Sequence, residues 1–333
     1  MNKVMIIAEA GVNHNGRLDL ALRLCDEAKD AGADVVKFQT WITEKMITRT
    51  VEMAAYQEQN TGIKESQFDM LKRLELSYED FRCIKKYCDD IGILFASTAD
   101  ETDSLDFLID LGMPFIKVGS GDIGNVSFLR YIGKHKIPIL LSTGMSSLAD
   151  VELSINALES GGAEDITLLH CTTNYPCPYP EVNLRAMLTL RDAFHLPVGY
   201  SDHTIGMEVP MAAAAMGAGV LEKHFTLDRE MEGPDHKASM EPGEFKKMVD
   251  GIRNIEAAFG DGIKRAMISE QKIKNVVTKR IVARQQIKAG EILTEENMCV
   301  KRSAEGELAS KWDEVVGNRA IRDITPDRGI VLK

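Results

Sequence analysis

VMIIAEAGVNHNGRLDLALRLCDEAKDAGADVVKFQ, residues 4–39, decides the architecture. Residues 4–9 form a short apolar run that closes on Glu9. A polar, glycine-containing turn leads into residues 18–31, which are amphipathic at the helical period. Residues 35–39 are strand-like again, with Lys37 and Gln39 on one face because side chains alternate along a strand. The unit recurs. Strand-like runs at 4–9, 35–39, 93–97, 115–119, 138–143, 166–171, 197–201 and 219–224 alternate with amphipathic stretches such as 18–31, 78–90, 101–111, 151–159, 183–194 and 244–259. Strands covered by helices on both faces belong to a parallel sheet. Eight such units in about 260 residues predict a (β/α)8 TIM barrel, an α/β fold. A doubly wound open sheet is the competing arrangement.

The pattern predicts a barrel over 1–262, a basic, polar linker over 263–278 and a small β-rich domain over 279–333, with a turn at Lys288-Ala289-Gly290-Glu291. About 50 residues make a thin core, so this last unit is expected to dock on a barrel, its own or another subunit's. The polar insertion of residues 41–76, with Asn60-Thr61-Gly62, is too long for an ordinary βα loop and is expected to shape or cover a site. The 333 residues are 44% hydrophobic and 27% charged, which excludes disorder. Acidic residues outnumber basic ones, 51 to 40, which argues against a nucleic-acid partner. The longest apolar stretch, 209–221, is too short for a bilayer, and six cysteines without an export signal read as reduced core thiols, so the expected compartment is the cytoplasm.

Barrel ligands sit at the C-terminal ends of strands. Here every exit is polar: Glu9; Lys37 and Gln39; Ser97-Thr98; Lys117-Val118-Gly119-Ser120-Gly121-Asp122; Ser142-Thr143-Gly144-Met145; His170 through Tyr175; Ser201-Asp202-His203-Thr204; and Glu222-Lys223-His224. Lys37 and Lys117 are cations inside apolar strands, and a buried ammonium is costly without an anion. That anion is either a bound phosphate or carboxylate, or a barrel carboxylate such as Glu9 or Glu222. The Gly-Ser-Gly around Ser120 and the Ser-Thr-Gly beginning at Ser142 suit a phosphate cradle. His203 and His224 end neighbouring strands, an arrangement for a divalent metal with open positions or for two hydrogen-bonded core histidines. Glu9 is a general base or the lysines' counterion.

These motifs, with Gly11-Val12-Asn13-His14-Asn15-Gly16 and Gly233-Pro234-Asp235-His236-Lys237-Ala238-Ser239, resemble the bacterial sialic acid synthase (NeuB) family. Residues 279–333 resemble its C-terminal antifreeze-like (SAF) domain. The resemblance implies condensation of phosphoenolpyruvate with an N-acyl mannosamine to a nine-carbon 2-keto acid and phosphate. It implies a metal on His203 and His224, Mn2+ first and Mg2+ or Co2+ as substitutes. Lys37, Thr98, Lys117, Ser120 and Ser142 would bind phosphoenolpyruvate, and Glu9 would orient or deprotonate a water. Gln39, Tyr175 and Asp235 would meet the sugar, as would Arg302 from the partner subunit of a domain-swapped homodimer. N-acetylneuraminate synthesis ranks first, N,N'-diacetyllegionaminic acid synthesis second and pseudaminic acid synthesis last. Four positions depart from the family pattern: Ser97-Thr98-Ala99-Asp100-Glu101 for Ser-Thr-Pro-Phe-Asp, Asp122 for Glu, Thr173 where some members have Asn, and Ser303-Ala304 for Pro-Gly. A metal-dependent hydrolase would need more ligands than two histidines, and a scaffold that only binds saccharide leaves the buried lysines unexplained.

Overall fold

Eight parallel strands close on themselves, β1 pairing with both β2 and β8. A computed structural model describes residues 3–53, 58 and 65–332. The strands are β1 (Met5–Gly11), β2 (Val35–Thr40), β3 (Leu94–Ala99), β4 (Ile116–Val118), β5 (Ile139–Ser142), β6 (Ile166–His170), β7 (Val198–Asp202) and β8 (Val220–His224). Outside them run α1 (Leu18–Asp30), α2 (Tyr78–Ile91), α3 (Thr102–Asp110), α4 (Val126–Gly133), α5 (Leu148–Gly161), α6 (Ala186–Phe194), α7 (Glu208–Ala215) and α8 (Pro242–Ala258). The closed order settles the choice between barrel and open sheet. Local chemistry sets several boundaries. Ser77 with Asp80 and Ser147 with Asp150 form capping boxes at the starts of α2 and α5. Gly92, in the left-handed region at φ 75°, ends α2. The eight expected helical segments are all present; α7, Ala-rich after Glu208, carries the weakest helical period of them.

Two apolar shells result. One lies between sheet and helices and includes Leu24, Phe38, Phe81, Phe95, Leu129 and Phe245. The other fills the barrel: Ile7, Val35, Ala96, Phe115, Leu140, Leu169 and Val220. The described ends of the insertion contain short helices, Thr43–Met46 and Gln67–Leu74, and pack Trp41, Met70, Leu71 and Leu74 around Val12 of the loop after β1. Asn60-Thr61-Gly62 lies outside the described residues.

The chain divides into the units Met1–Gly260 and Asp261–Lys333. The second holds a helix, α9 (Gln271–Val277), and an antiparallel pair, β9 (Lys279–Ala283) and β10 (Met298–Arg302). It is less thin than its length implies, because Ile281, Ile287, Leu293, Met298, Val315 and Ile330 form a buried core of its own. The expected turn is present, with Glu291 N–H donating to Lys288 O at 3.0 Å and Gly290 at φ 83°. All six cysteines are free thiols, but the expectation that they are core residues holds for four only; Cys83 is exposed and Cys299 half-buried. No helix among the described residues is long and apolar enough to cross a membrane.

Gly199 lets β7 sit tightly between its neighbours. A Cβ there would lie 2.5 Å from Val220 O and 2.6 Å from a Leu169 methyl. Gly199→Ala is therefore expected to destabilise by about 1–3 kcal/mol, lowering the thermal midpoint by roughly 2–10 °C. An unchanged midpoint in differential scanning fluorimetry contradicts this packing.

Candidate active site

The site is built by counting in twos. Side chains on one face of a strand recur at every second residue. Stepping two residues from the inner apolar layer gives Glu9, Lys37, Thr98, Lys117, Ser142, Cys171 and Glu222, with Ser201 two beyond Gly199. Two more residues give Gln39, Asp100, Gly119, Thr173, His203 and His224. All fourteen line one cavity of about 210 Å³, together with Ser120, Gly121 and Tyr175. At the exit of β1 the register shifts between Glu9 and Gly11. Gly11 adopts φ 50°, a left-handed turn that favours glycine, and a Cβ there would press against Glu9 Oε1 at 3.2 Å and Gln39 Nε2 at 3.3 Å.

The charges are close and dry. Lys37 Nζ lies 2.5 Å from Glu9 Oε2 and 3.9 Å from Glu222 Oε2, and Lys117 Nζ lies 3.6 Å from Glu222 Oε1. All four side chains are at most 5% exposed. Each lysine thus has a carboxylate partner and also faces open space. The pairing of the buried lysines with the barrel carboxylates Glu9 and Glu222 is observed. Lys37 Nζ also donates to Thr98 Oγ1 at 3.0 Å, and Ser201 Oγ to Glu222 Oε1 at 3.0 Å. Burial works against the Glu222 charge, but Lys117, Lys37 and the Ser201 hydrogen bond hold its carboxyl well below the usual range. Burial likewise opposes the Lys37 charge, but Glu222 and Glu9 overcome it and keep it a cation. Glu9 is pushed up to about 7, chiefly by burial, with Lys37 pulling down and Glu222 pushing up. Asp100 also rises to about 7 through burial, with Asp122 adding to the effect.

Above this layer stand the imidazoles of His203 and His224, ring centroids 5.4 Å apart. The Tyr175 ring lies 4.2 Å from the first and 5.4 Å from the second. His203 Nδ1 is 2.7 Å from the Thr172 carbonyl, so that nitrogen carries the proton and Nε2 keeps its lone pair. His224 Nδ1 is buried without a hydrogen-bond partner, 3.9 Å from Asp235 Oδ2. Burial lowers both imidazole pKa values, His224 well below the ordinary value with His203 adding to the effect. Neutral imidazoles with available lone pairs are the ligand form for a divalent transition metal. Among the described residues no group of three or more His, Cys, Asp and Glu forms a metal cage. The pair therefore fits an ion whose other positions are open.

Loop motifs present the remaining parts. Asn13 Nδ2 donates to Phe225 O and Ser239 Oγ, and Ser239 Oγ donates to Asp235 O at 2.7 Å. Asn15 donates to Glu232 O. The two asparagines thus bind the 233–239 segment to the loop after β1. On the other side, Ser120 Oγ accepts from Gly144 N–H at 3.0 Å and lies 3.3 Å from Cys171 Sγ.

Of the expected site residues, Glu9, Lys37, Gln39, Thr98, Lys117, Ser120, Ser142, Tyr175, His203 and His224 share the cavity. Asp235 reaches its edge at His224, while Arg302 ends β10 in the second unit. Asp100, Cys171 and Ser201 had no assigned role in the expected site, although the two-residue count from Ala96, Leu169 and Gly199 finds each of them.

Comparison with known proteins identifies the family and agrees with the fold. Residues 24–264 match the NeuB family and 279–333 the SAF domain. The chain is 48% identical over 329 residues to an N,N'-diacetyllegionaminic acid synthase of Campylobacter jejuni, covering 98% of both chains. It is 44% identical to one of Legionella pneumophila, covering 94% of this chain and 89% of that one. The crystal structure of an N-acetylneuraminic acid synthetase from Leptospira borgpetersenii superposes with a TM-score of 0.71 at 34% identity, over 82% of this chain and 90% of that chain. The fold and site thus define a carbon–carbon bond-forming enzyme dependent on phosphoenolpyruvate, a nonulosonic acid synthase. The chain belongs to the NeuB family.

Lys37→Met leaves Glu9 and Glu222 buried with one cation fewer, and breaking such a pair costs about 3–5 kcal/mol. Without that cation the folded carboxyls hold their protons more tightly than unfolded ones do. The unfolded state then ionises first as pH rises, so the variant's stability falls with rising pH. Urea denaturation of wild type and variant is expected to show a larger deficit at pH 8 than at pH 5; a deficit constant with pH contradicts the assigned charges.

Proposed function

We propose that the protein joins phosphoenolpyruvate to 2,4-diacetamido-2,4,6-trideoxymannose and water, giving N,N'-diacetyllegionaminic acid and phosphate. The observation that carries the condensation is the convergence of two ammonium groups and two imidazoles on one cavity. The sugar ranking reverses the sequence expectation of N-acetylneuraminate first. What supports the reversal is 48% and 44% identity to legionaminic acid synthases, against 34% to the N-acetylneuraminic acid synthetase.

In this reading Lys37, Lys117, Thr98, Ser120 and Ser142 hold the donor by charge-assisted contacts and fix its orientation. C3 of phosphoenolpyruvate bonds to the acceptor's aldehyde carbon as the C2=C3 and carbonyl π bonds break, leaving positive charge at C2 and an alkoxide that takes up a proton. Water adds at C2 and gives its proton to ionised Glu9, which a pKa about 7 suits as a base. The bond from C2 to the phosphate oxygen then breaks, the C2 hydroxyl becomes the keto carbonyl, and its proton leaves with the phosphate. Gln39, Tyr175 and Asp235 meet the sugar. His203 and His224 would hold a divalent ion, Mn2+ first, which supplies Lewis acidity toward the aldehyde oxygen. Arg302 of a swapped partner domain reaches the acceptor's 2-acylamino group, making the working unit a homodimer. Free thiols throughout suit the cytoplasm.

Phosphate release is the assay. Chelation is expected to abolish it and Mn2+ to restore it, while His203→Ala and His224→Ala each lose activity together with Mn2+ binding measured by electron paramagnetic resonance. Full activity in both variants removes the metal assignment. In wild type, kcat/KM is expected to rise with pH through about 7. Glu9→Gln should cost roughly 10²–10⁴-fold and abolish that limb; a surviving limb assigns the ionisation elsewhere. Arg302→Ala should raise KM for the sugar far more than for phosphoenolpyruvate, and equal changes count against the swapped arrangement.

A further inference from the structure

The catalytic cavity, at about 210 Å³, is below the size at which most ligand pockets begin, and its lining is ionic and hydroxylic. A hexose with two acylamino groups must extend beyond it. Beside it lies a larger chamber of about 770 Å³, between the exits of β5 and β6 and the starts of α5 and α6. Cys171 and Thr173 line both spaces, so the two share a wall. That wall is thin. A Cβ at position 144 would lie 2.2 Å from Thr173 Oγ1, so Thr173 rests on the bare backbone of Gly144. The Thr173 hydroxyl oxygen is buried and has no hydrogen-bond partner.

The chamber's chemistry is that of an amide carrying an alkyl group. Leu148, Val151 and Leu190 supply apolar wall, and Asn174, Asn183 and Thr189 supply donors and acceptors. One arginine and one glutamate line it, leaving no net charge to select an ion. It is also preformed. His170 Nε2 is 2.8 Å from Val182 O, and Thr172 Oγ1 donates to Glu181 O at 3.0 Å, fixing the outer loop.

We propose that this chamber is the subsite for the acceptor's second acylamino group, with Thr173 at its entrance. The inference rests on the diacetamido reading above and says where that sugar's distinguishing substituent goes. An acetyl methyl gains apolar wall there, while its amide N–H and carbonyl find partners that offset their desolvation. A chamber much larger than an acetyl group accommodates a longer acyl chain at that nitrogen.

The test uses the full chain with Mn2+ and phosphoenolpyruvate. Three acceptors are compared: N-acetylmannosamine, 2,4-diacetamido-2,4,6-trideoxymannose, and the analogue with butyryl for acetyl on the 4-nitrogen. Wild type is expected to use the butyryl analogue within about threefold of the diacetamido sugar. Thr189→Trp and Leu148→Trp, at exposed positions where folding tolerates bulk, fill the chamber. Each should lower the kcat/KM ratio, diacetamido sugar over N-acetylmannosamine, by about tenfold or more. A wild type that uses the diacetamido sugar but rejects the butyryl analogue, or whose ratio ignores both tryptophans, overturns the subsite alone. A wild type active only with N-acetylmannosamine overturns the sugar reading and the subsite together.

Discussion

Glu222 stands between two ammonium groups that have almost no water, and the site is organised around that contact. Lys37 and Lys117 are each at most 5% exposed, and Glu222 reaches one with each oxygen while accepting from Ser201. Desolvating such a set costs several kcal/mol per ion, more than a well-packed apolar layer would. The layer below shows that the barrel can be packed that way, with Ile7, Val35 and Phe115 at equivalent strand positions. Packing alone does not call for the charged layer, and the proposed donor site gives it a use. In the proposed reaction the donor's phosphate would meet cations already stripped of water and held in place, so little reorganisation would remain when charge develops. Glu9 completes the balance. It lies against Lys37, yet its pKa about 7 lets it, like Asp100, change charge near neutrality while Glu222 stays ionised.

The register explains why so much of this was legible in the sequence. Parallel strands in a closed barrel repeat inward positions at intervals of two, so polar exits found one strand at a time converge in space. Lys37, Lys117, His203 and His224 declared themselves because charge and imidazole are conspicuous in β-branched runs. Ser201, Cys171 and Asp100 did not, since a serine, a thiol or an acid beside a turn has many ordinary uses and is distinguished here only by its phase relative to the inner apolar layer. α7 is legible for a different reason: its Ala-rich run sets no strong period, but alanine favours the helix that the strand-helix alternation calls for there. The second unit's core depended on contacts distant in sequence, Ile281 with Ile330 for one, which no local window contains.

The most conspicuous motif, Gly11 to Gly16, turns out to be support. Asn13 and Asn15 bind across to the segment that carries Asp235, and the buried His14 and His236 are both lowered to about 4, chiefly by burial, and stay neutral. Residues of such marked character suggest chemistry when read singly. Their hydrogen bonds show that they hold a loop in position beside His224.

Donor and acceptor are thus handled by different kinds of structure. Groups proposed for the donor sit at strand ends or in the short turns after them, held by the ladder and the apolar layer beneath. Apart from Gln39 on β2 and Arg302 on β10, groups proposed for the acceptor sit higher, on Tyr175, Asp235 and the loop between β6 and α6, where side chains change without disturbing the barrel. That division suits a family whose members share a three-carbon donor and differ in their sugars. It also bears on how one sugar is chosen over another. Refusing an extra substituent takes only a filled wall, whereas accepting one takes room with matched polar groups, because a buried amide left unpaired loses more than its methyl gains. The short Thr173 side chain on the glycine backbone at 144, with an apolar and amide-lined chamber behind it, is the second kind of arrangement. A sugar without the second acylamino group leaves that chamber to water and forgoes its binding, so discrimination comes from what the larger sugar gains.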